Sequence, residues 1–438
     1  MNRHTRFGFA ALFGLALLAT ACIPKGMRLP QSELLGALAP KSGLIAYVGT
    51  DGNIYTIDQG GGKPTPVTTD AHLADEYRLY GLPAWSPDSK SLVFAGYSGQ
   101  GQADPTETGL FVAQKDGSGL SEIYSSANFL IYYFWSPDGQ RLSFLSDTPG
   151  QSLALKLISP TGGDAETLDV GQPYYWTWAP NSQALLVHVG DGSTSRARLS
   201  ILQLDNPVTE HGLDIEPSLF KAPAFSPDGT QALVAGQVDG ESKLLVMDDS
   251  GALRRTVADY EGNIAFAWSP DGKRFAYIAS DQGSIGVLGP IIVADAAGGE
   301  KTVTVQGDPA YAFFWSPDSR SLAYLSPHRV EPTATATPGA GTITSDGSDI
   351  VWSLSVASAS NGDSRPVATF LPSDRFLQLL PYFDQYHQSA TIWSPDSKNL
   401  IVSAFNQDGQ PGLWVVAASG NLEPRFLTEG MVGVWSWK

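Results

Sequence analysis

The sequence predicts an all-β fold: a β-propeller of eight four-stranded blades, closed by a composite blade built from both ends of the chain. Three observations predict it. First, a unit made of an aromatic residue, Ser or Ala, Pro, Asp or Asn, and Gly or Ser occurs seven times. The copies begin at Trp85, Trp135, Trp178, Phe225, Trp268, Trp315 and Trp393, and a truncated eighth stands at Trp435-Ser436-Trp437. Second, the successive spacings are 50, 43, 47, 43, 47, 78 and 42 residues. A period in the forties, built of short strands and turns, marks a propeller. Third, the segments before the first copy and after the last are complementary fragments of one blade.

The elements follow in chain order. Residues 1–21 read as a signal peptide: Arg3 and Arg6 give a basic start, residues 7–18 are apolar but short for a membrane span, and Ala19, Thr20 and Ala21 are small. Cys22 is the single cysteine and sits at the expected cleavage point. No disulfide can form within the chain, so the fold must hold by packing. Residues 22–42 read as a tether with room for a turn or two of helix at 32–38. Residues 43–48, 53–58 and 66–69 alternate like the second, third and fourth strands of a blade that lacks its first.

Residues 129–169 show a whole blade. The run 129–136 is almost wholly apolar, as in a strand buried on both faces. Ser136-Pro137-Asp138-Gly139 is a tight turn: Pro presets φ, Asp is tolerated next, and Gly accepts the left-handed position. Strands at 141–146, 153–159 and 165–169 complete the four. Other second strands are expected at 91–95, 184–189, 231–235, 274–279, 321–325 and 399–404. Third strands are expected at 110–113, 199–204, 244–248, 291–294, 351–356 and 413–417. The repeated aromatic is expected to pack between neighbouring blades. The domain 43–438 closes when residues 432–437 supply the missing first strand, which removes exposed edges. A seven-bladed ring with one misread copy is the alternative; eight is favoured because every motif brings its own following strands. The 78-residue interval holds an insertion at 327–349, rich in Thr, Pro, Gly and Ser, expected to be a mobile surface loop.

These motifs resemble the TolB-type, WD-like propeller repeat, whose signature is Trp-Ser-Pro-Asp-Gly followed by an apolar strand and Asp/Gly turns. The resemblance covers 43–438. This chain departs from it at Ala179 and Asn181, and at Ser89, Ser182, Ser319 and Ser397, where serine predicts a turn less strictly of the glycine type. The resemblance implies a propeller found in periplasmic binding proteins and as a non-catalytic domain of peptidases. Residues 18–22 resemble the lipobox of bacterial lipoproteins, with Ala19 where Leu is commonest. That resemblance implies a diacylglyceryl group on Cys22 and a mature chain in the bacterial cell envelope, anchored to a membrane and facing the periplasm or exterior.

Charge and motif content narrow the function. The net charge is −17 with no basic cluster to offset it, so nucleic acid is excluded as a partner. His4, His72, His188, His211, His328 and His387 show no metal-ligand spacing, and no second cysteine or phosphate loop exists, so neither metal nor cofactor is expected. Gly96-Tyr97-Ser98-Gly99-Gln100 lacks the last glycine of a nucleophile elbow and reads as a hairpin loop. The chain is expected to end on its ring-closing strand, with no separate hydrolase domain. The Asp of each Ser-Pro-Asp unit is a turn former, so no catalytic residue is assigned. Function is expected on the face with variable loops: residues 70–81, with His72, Tyr77, Arg78 and Tyr80; residues 207–221, with Glu210 and His211; and residues 370–388. The expected partner-binding residues are Tyr77, Tyr80, Arg375, Phe376, Tyr382, Tyr386 and His387. The main expectation is a non-catalytic propeller that binds an envelope protein, peptide or glycan. The alternatives are an enzyme, hydrolase or lyase, with a site in the central channel, and a structural envelope component.

Overall fold

The computed structural model describes residues 41–438 apart from 102, 149–151, 191–196, 219, 281–285, 300–301 and 330–349. The predicted signal peptide, Cys22, residues 22–40 of the tether and most of the 327–349 insertion lie outside the described residues.

Eight antiparallel sheets form the eight blades of a closed propeller. Blade 1 is the composite. Its inner strand Val432–Trp435 pairs with Ile45–Val48, in the register Ile45 opposite Trp435 and Val48 opposite Val432. Ile54–Ile57 and Thr65–Pro66 complete it, so the predicted fourth strand at 66–69 is shorter and earlier. Blades 2 to 8 follow in order, each beginning near one copy of the repeat.

Strand polarity follows distance from the axis. In blade 6 the inner strand Asn263–Trp268 is buried at every residue. In blade 3 the outer strand Glu166–Gly171 has no buried residue. This is why inner strands read as apolar runs and outer strands as polar ones. Second strands often run past their expected ends: Ser91–Gln100, Gln231–Val238 and Ser321–Arg329. Residues 96–100, read from sequence as a hairpin loop, are therefore strand. Pro327, His328 and Arg329 likewise belong to blade 7, not to the insertion.

The turns show what the motif does. In Ser136-Pro-Asp138-Gly139, Ser136 Oγ donates to Asp138 Oδ1 at 2.6 Å, and that carboxylate accepts the Gln140 N–H at 3.0 Å. The same arrangement recurs at Ser86, Ser226, Ser269, Ser316 and Ser394. The tryptophans bridge blades as expected: Trp135 Nε1 donates to Ala84 O, Trp315 to Ala267 O and Trp393 to Phe314 O. One expectation is corrected. Ser89, Ser182, Ser319 and Ser397 adopt φ near +60°, the conformation glycine has at Gly139. Each hydroxyl accepts a backbone N–H from the preceding blade: from Lys438, Asp138, Asp271 and Asp318 respectively. The inter-blade bond offsets the left-handed backbone, which an L side chain tolerates only at a cost.

Candidate functional site

Three inner strands depart from the pattern, all around the axis. In blade 2 the inner strand is split into Glu76–Tyr80 and Ala84–Trp85. In blade 5 it is split into Glu216–Pro217 and Ala224–Phe225. In blade 8 it is reduced to a bridge at Trp393 opposite Leu400. The segment that precedes Trp393 fills the axis instead.

That segment was expected to be an irregular loop and is a helical plug. Helix α1, Asp374–Leu379, is capped by Ser373, whose Oγ accepts the Phe376 N–H and donates to Met431 O. Pro381 ends it in a tight turn, Leu380–Tyr382, and a single turn α2, Phe383–Tyr386, follows. An N-cap serine, an acid in the first turn and apolar residues at Phe376, Leu377 and Leu380 are ordinary helix signals.

The plug is tied to blades around the ring. Tyr132 of blade 3 donates to Ser389 Oγ at 2.8 Å and to Gln385 O at 3.1 Å. Gln385 Nε2 donates to Trp176 O of blade 4, and Gln388 Nε2 to Pro223 O of blade 5. Phe383 meets Phe313 of blade 7 edge-on, with centroids 5.1 Å apart.

Between the plug and blades 1 to 3 lies a cavity of about 740 Å³ at the channel mouth, on the long-loop face. Its walls come from the hairpin His72–Leu73/Glu76–Tyr80, Gly101, Ala103 and Pro105, the start of blade 3, the plug, and Met431–Val432. Tyr77, Tyr80, Arg375, Tyr382 and Tyr386, five of the seven residues singled out from sequence, line it. Phe376 and His387 do not. Phe376 is on the inward face of α1, buried against Phe370. His387 is half-buried behind α2, its Nδ1 3.2 Å from Phe383 O, and burial pushes its pKa down to about 4. Among the other singled-out residues, Glu210 and His211 lie on strand Thr209–Gly212, and Glu210 pairs with Arg198. His72 and Arg78 are hairpin residues bonded to Asp70.

Sequence reasoning missed several wall residues: Tyr97, Phe129, Ile131, Tyr132, Tyr133 and Ser389. For Phe129, Ile131, Tyr132 and Tyr133 the available signal is the aromatic density of 129–134, which also fits strand packing. The phenols divide into two groups. Tyr77 donates to Ala103 O and Tyr80 to Asp70 Oδ1, while Tyr133 bonds Leu82 O. The hydroxyls of Tyr97, Tyr382 and Tyr386, and the guanidinium of Arg375, have no hydrogen-bond partner among the described residues. Burial pushes the phenols of Tyr97 and Tyr386 up to about 12, so both stay protonated donors at neutral pH.

Behind the plug a second polar group was also missed. Asp384 and Lys221 are both buried, and each is perturbed first by burial: the carboxyl pKa is raised and the ammonium pKa lowered. Their mutual attraction partly opposes this, and the Ala222 N–H donates to the carboxylate. His188 lies beside them, Nδ1 2.8 Å from Lys221 O, its pKa pushed down to about 4 by burial. A lone acid and a lone lysine inside apolar runs, Tyr382-Phe-Asp384 and Phe220-Lys221-Ala, were the available signal. Among the described residues no group of three or more His, Cys, Asp or Glu is placed to hold a metal ion, and no helix is long and apolar enough to cross a membrane.

No protein-family profile matches the chain. A relative from Bacillus subtilis (strain 168), named as an uncharacterized peptidase, YuxL, is 29% identical over 151 residues, which are 33% of this chain and 21% of that protein. The chain thus matches about a fifth of that relative's length. Among solved structures, a dihydro-heme d1 dehydrogenase, NirN, superposes with a TM-score of 0.53 at 17% identity, over 95% of this chain and 78% of that one. An oligogalacturonate lyase in complex with manganese gives 0.50 at 14% identity, over 90% and 98%. TolB from Acinetobacter baumannii gives 0.39 at 15% identity, over 81% and 65%. These structural likenesses are of fold.

The comparisons correct one expectation. The sequence favoured a non-catalytic binding propeller, with no enzyme activity. The relative in sequence, matched over about a fifth of its length, is named a peptidase. That name counts against the non-catalytic expectation and for its enzyme alternative. The sequence pointed to binding because it holds no contiguous catalytic motif, and the cavity walls come from blades far apart in the chain.

Proposed function

We propose that this chain serves a hydrolase acting on peptide bonds, with the channel-mouth cavity receiving the substrate. The observation that carries the reading is the cavity itself: about 740 Å³, aromatic, and lined by phenol and guanidinium donors without partners among the described residues. Pockets of this size, mostly apolar with a few convergent polar groups, suit substrate binding. Amide hydrolysis builds negative charge on the carbonyl oxygen, and preorganised donors in a site poor in water stabilise it. Protonated Tyr97 and Tyr386 supply such donors. The 151-residue similarity to a protein named as a peptidase supports the bond class.

The test is turnover of a quenched-fluorescence peptide library by the full chain, wild type against Tyr97→Phe. The reading expects cleavage, and a kcat/KM lower by roughly 10²-fold where the lost phenol faced the oxyanion. No cleavage of any library member would overturn it.

We also propose that the chain is exported and anchored through a lipid on Cys22, so that its substrates are peptides of the cell envelope. The basic, apolar and small-residue succession before Cys22 supports this. Metabolic labelling with a fatty acid tests it: label in the wild type and none in Cys22→Ala is expected, and equal label in both contradicts it.

A further inference from the structure

The cavity does not share the charge of the chain around it. The protein carries a net charge of −17. Yet among the described residues no Asp, Glu, Lys or His lines the cavity, and Arg375 is its one charged side chain. Arg375 is exposed and has neither an ion pair nor a hydrogen bond among the described residues. It lies close enough to Tyr97 to bias that phenol electrostatically.

The rim around this cation is apolar. Leu73, Phe129, Ile131 and Tyr382 are 69%, 41%, 39% and 43% exposed, among the most exposed large apolar side chains of the protein, and all four line the same cavity. Scattered exposed apolar residues need no explanation, but a contiguous group around a concavity marks a binding site. A lone cation in an aromatic bowl recognises a ligand with one negative charge and an apolar body.

We propose that the cavity binds the carboxyl-terminal end of a peptide: the α-carboxylate pairs with Arg375, and a large apolar last side chain packs against Leu73, Phe129, Ile131 and Tyr382. The inference rests on the peptide reading above and narrows it to a substrate class. A guanidinium matches a carboxylate with two parallel hydrogen bonds. The other ways of presenting a peptide are disfavoured. An N-terminal ammonium would meet Arg375 with no acid in the cavity to receive it. An internal segment would cover Arg375 and leave its charge buried without a partner. A polyanion would be repelled by the acidic surface outside.

The test is calorimetric titration of the full chain with an acetylated dipeptide ending in Phe, as the free acid and as the C-terminal amide. A fatty-acid arm uses laurate. The acid is expected to bind at least tenfold more tightly than the amide. Arg375→Ala should abolish the preference at an unchanged melting temperature, and Arg375→Lys should keep part of it. Tyr382→Ala should weaken both ligands. Equal binding of acid and amide, binding of neither, or an unchanged preference in Arg375→Ala overturns the inference. So does laurate displacing the dipeptide with equal or greater affinity. Selective binding without any turnover leaves the inference standing and removes the hydrolase reading. Turnover with no preference for a free C-terminus does the reverse.

Discussion

On the turn face each Ser-Pro-Asp unit bonds its serine hydroxyl to its own aspartate, whereas at the channel mouth Arg375 and the hydroxyls of Tyr97, Tyr382 and Tyr386 find no partner among the described residues. In the turns, serine donates to aspartate, aspartate accepts the next backbone N–H, and a serine of the following blade often accepts the N–H of that aspartate. These bonds use the serine hydroxyl and one carboxylate oxygen within the turn itself. At the mouth, three inner strands are broken or reduced, a plug replaces regular pairing, and donors are left facing a cavity. The repeated turns and the cavity thus treat their polar groups in opposite ways. A group required in every blade is used up by the blade; only the positions that escape the repeat can serve a substrate.

This contrast can be broken by substitutions on either side. The largest effect belongs to the inter-blade aromatics. Trp393 is fully buried, and its Nε1 reaches Phe314 O of the neighbouring blade. Trp393→Ala should cost about 3–5 kcal/mol in denaturant unfolding. A cost near zero would remove the claim that the repeat holds the ring.

The next effect lies behind the plug and depends on pH. Burial depresses the folded-state pKa of His188 from 6.5 to about 4, so the folded chain keeps the ring neutral while the unfolded chain protonates it. The stability so gained is full above pH 6.5 and is lost as pH falls towards about 4, on the order of 3 kcal/mol across that window. His387, also pushed down to about 4, adds in the same direction. His188→Gln should flatten the acid limb of stability against pH by its share. An unchanged limb would mean that His188 is not held neutral.

A smaller effect tests the turn serines. Ser319 holds φ near +60° and accepts the Asp271 N–H at 2.9 Å. Ser319→Ala keeps the strain and loses the bond, which should cost about 1–2 kcal/mol. Ser319→Gly loses the bond but relieves the strain and should cost less than about 1 kcal/mol. The reverse order would show that the hydroxyl is idle. The smallest effect is at Gly139, φ +69°, where an added Cβ would meet only Pro87 at an ordinary 3.8 Å. Gly139→Ala should cost about 1 kcal/mol. Gly139→Ser places a hydroxyl where Ser182 has one in the next blade and should be milder, as thermal melts of the pair would show.

The repeat made the ring legible. Seven aligned motifs located the blades, and the partial segments at 43–69 and 432–437 foretold the pairing of Ile45–Val48 with Val432–Trp435. Local turn chemistry is written in four or five residues, which is why it could be read. Strand ends were less legible, since Ser91–Gln100 runs on through glycines that usually stop a strand. The plug was misread as loop although Ser373-Asp374 and the apolar spacing after it are helix signals; two flanking prolines, Pro372 and Pro381, masked them. The cavity was half legible. The tyrosines and Arg375 stood out because their loops do not repeat. Their meeting with Tyr97, Phe129 and Ile131 depends on closure of the ring, which no local pattern encodes. Lys221 and Asp384 meet for the same reason, from positions 163 residues apart.

The contrast between the two faces is tested most directly by measuring kcat/KM for peptide cleavage in Tyr386→Phe and Asp138→Asn, each corrected to the same folded fraction. Tyr386 lines the cavity with a hydroxyl unpartnered among the described residues, while Asp138 Oδ1 is bonded by Ser136 and Gln140 in a turn. The account predicts a fall of roughly 10²-fold in Tyr386→Phe at unchanged stability. It predicts wild-type kcat/KM in Asp138→Asn despite a stability loss of about 1 kcal/mol. Unchanged cleavage in Tyr386→Phe, or a comparable fall in Asp138→Asn, would contradict it.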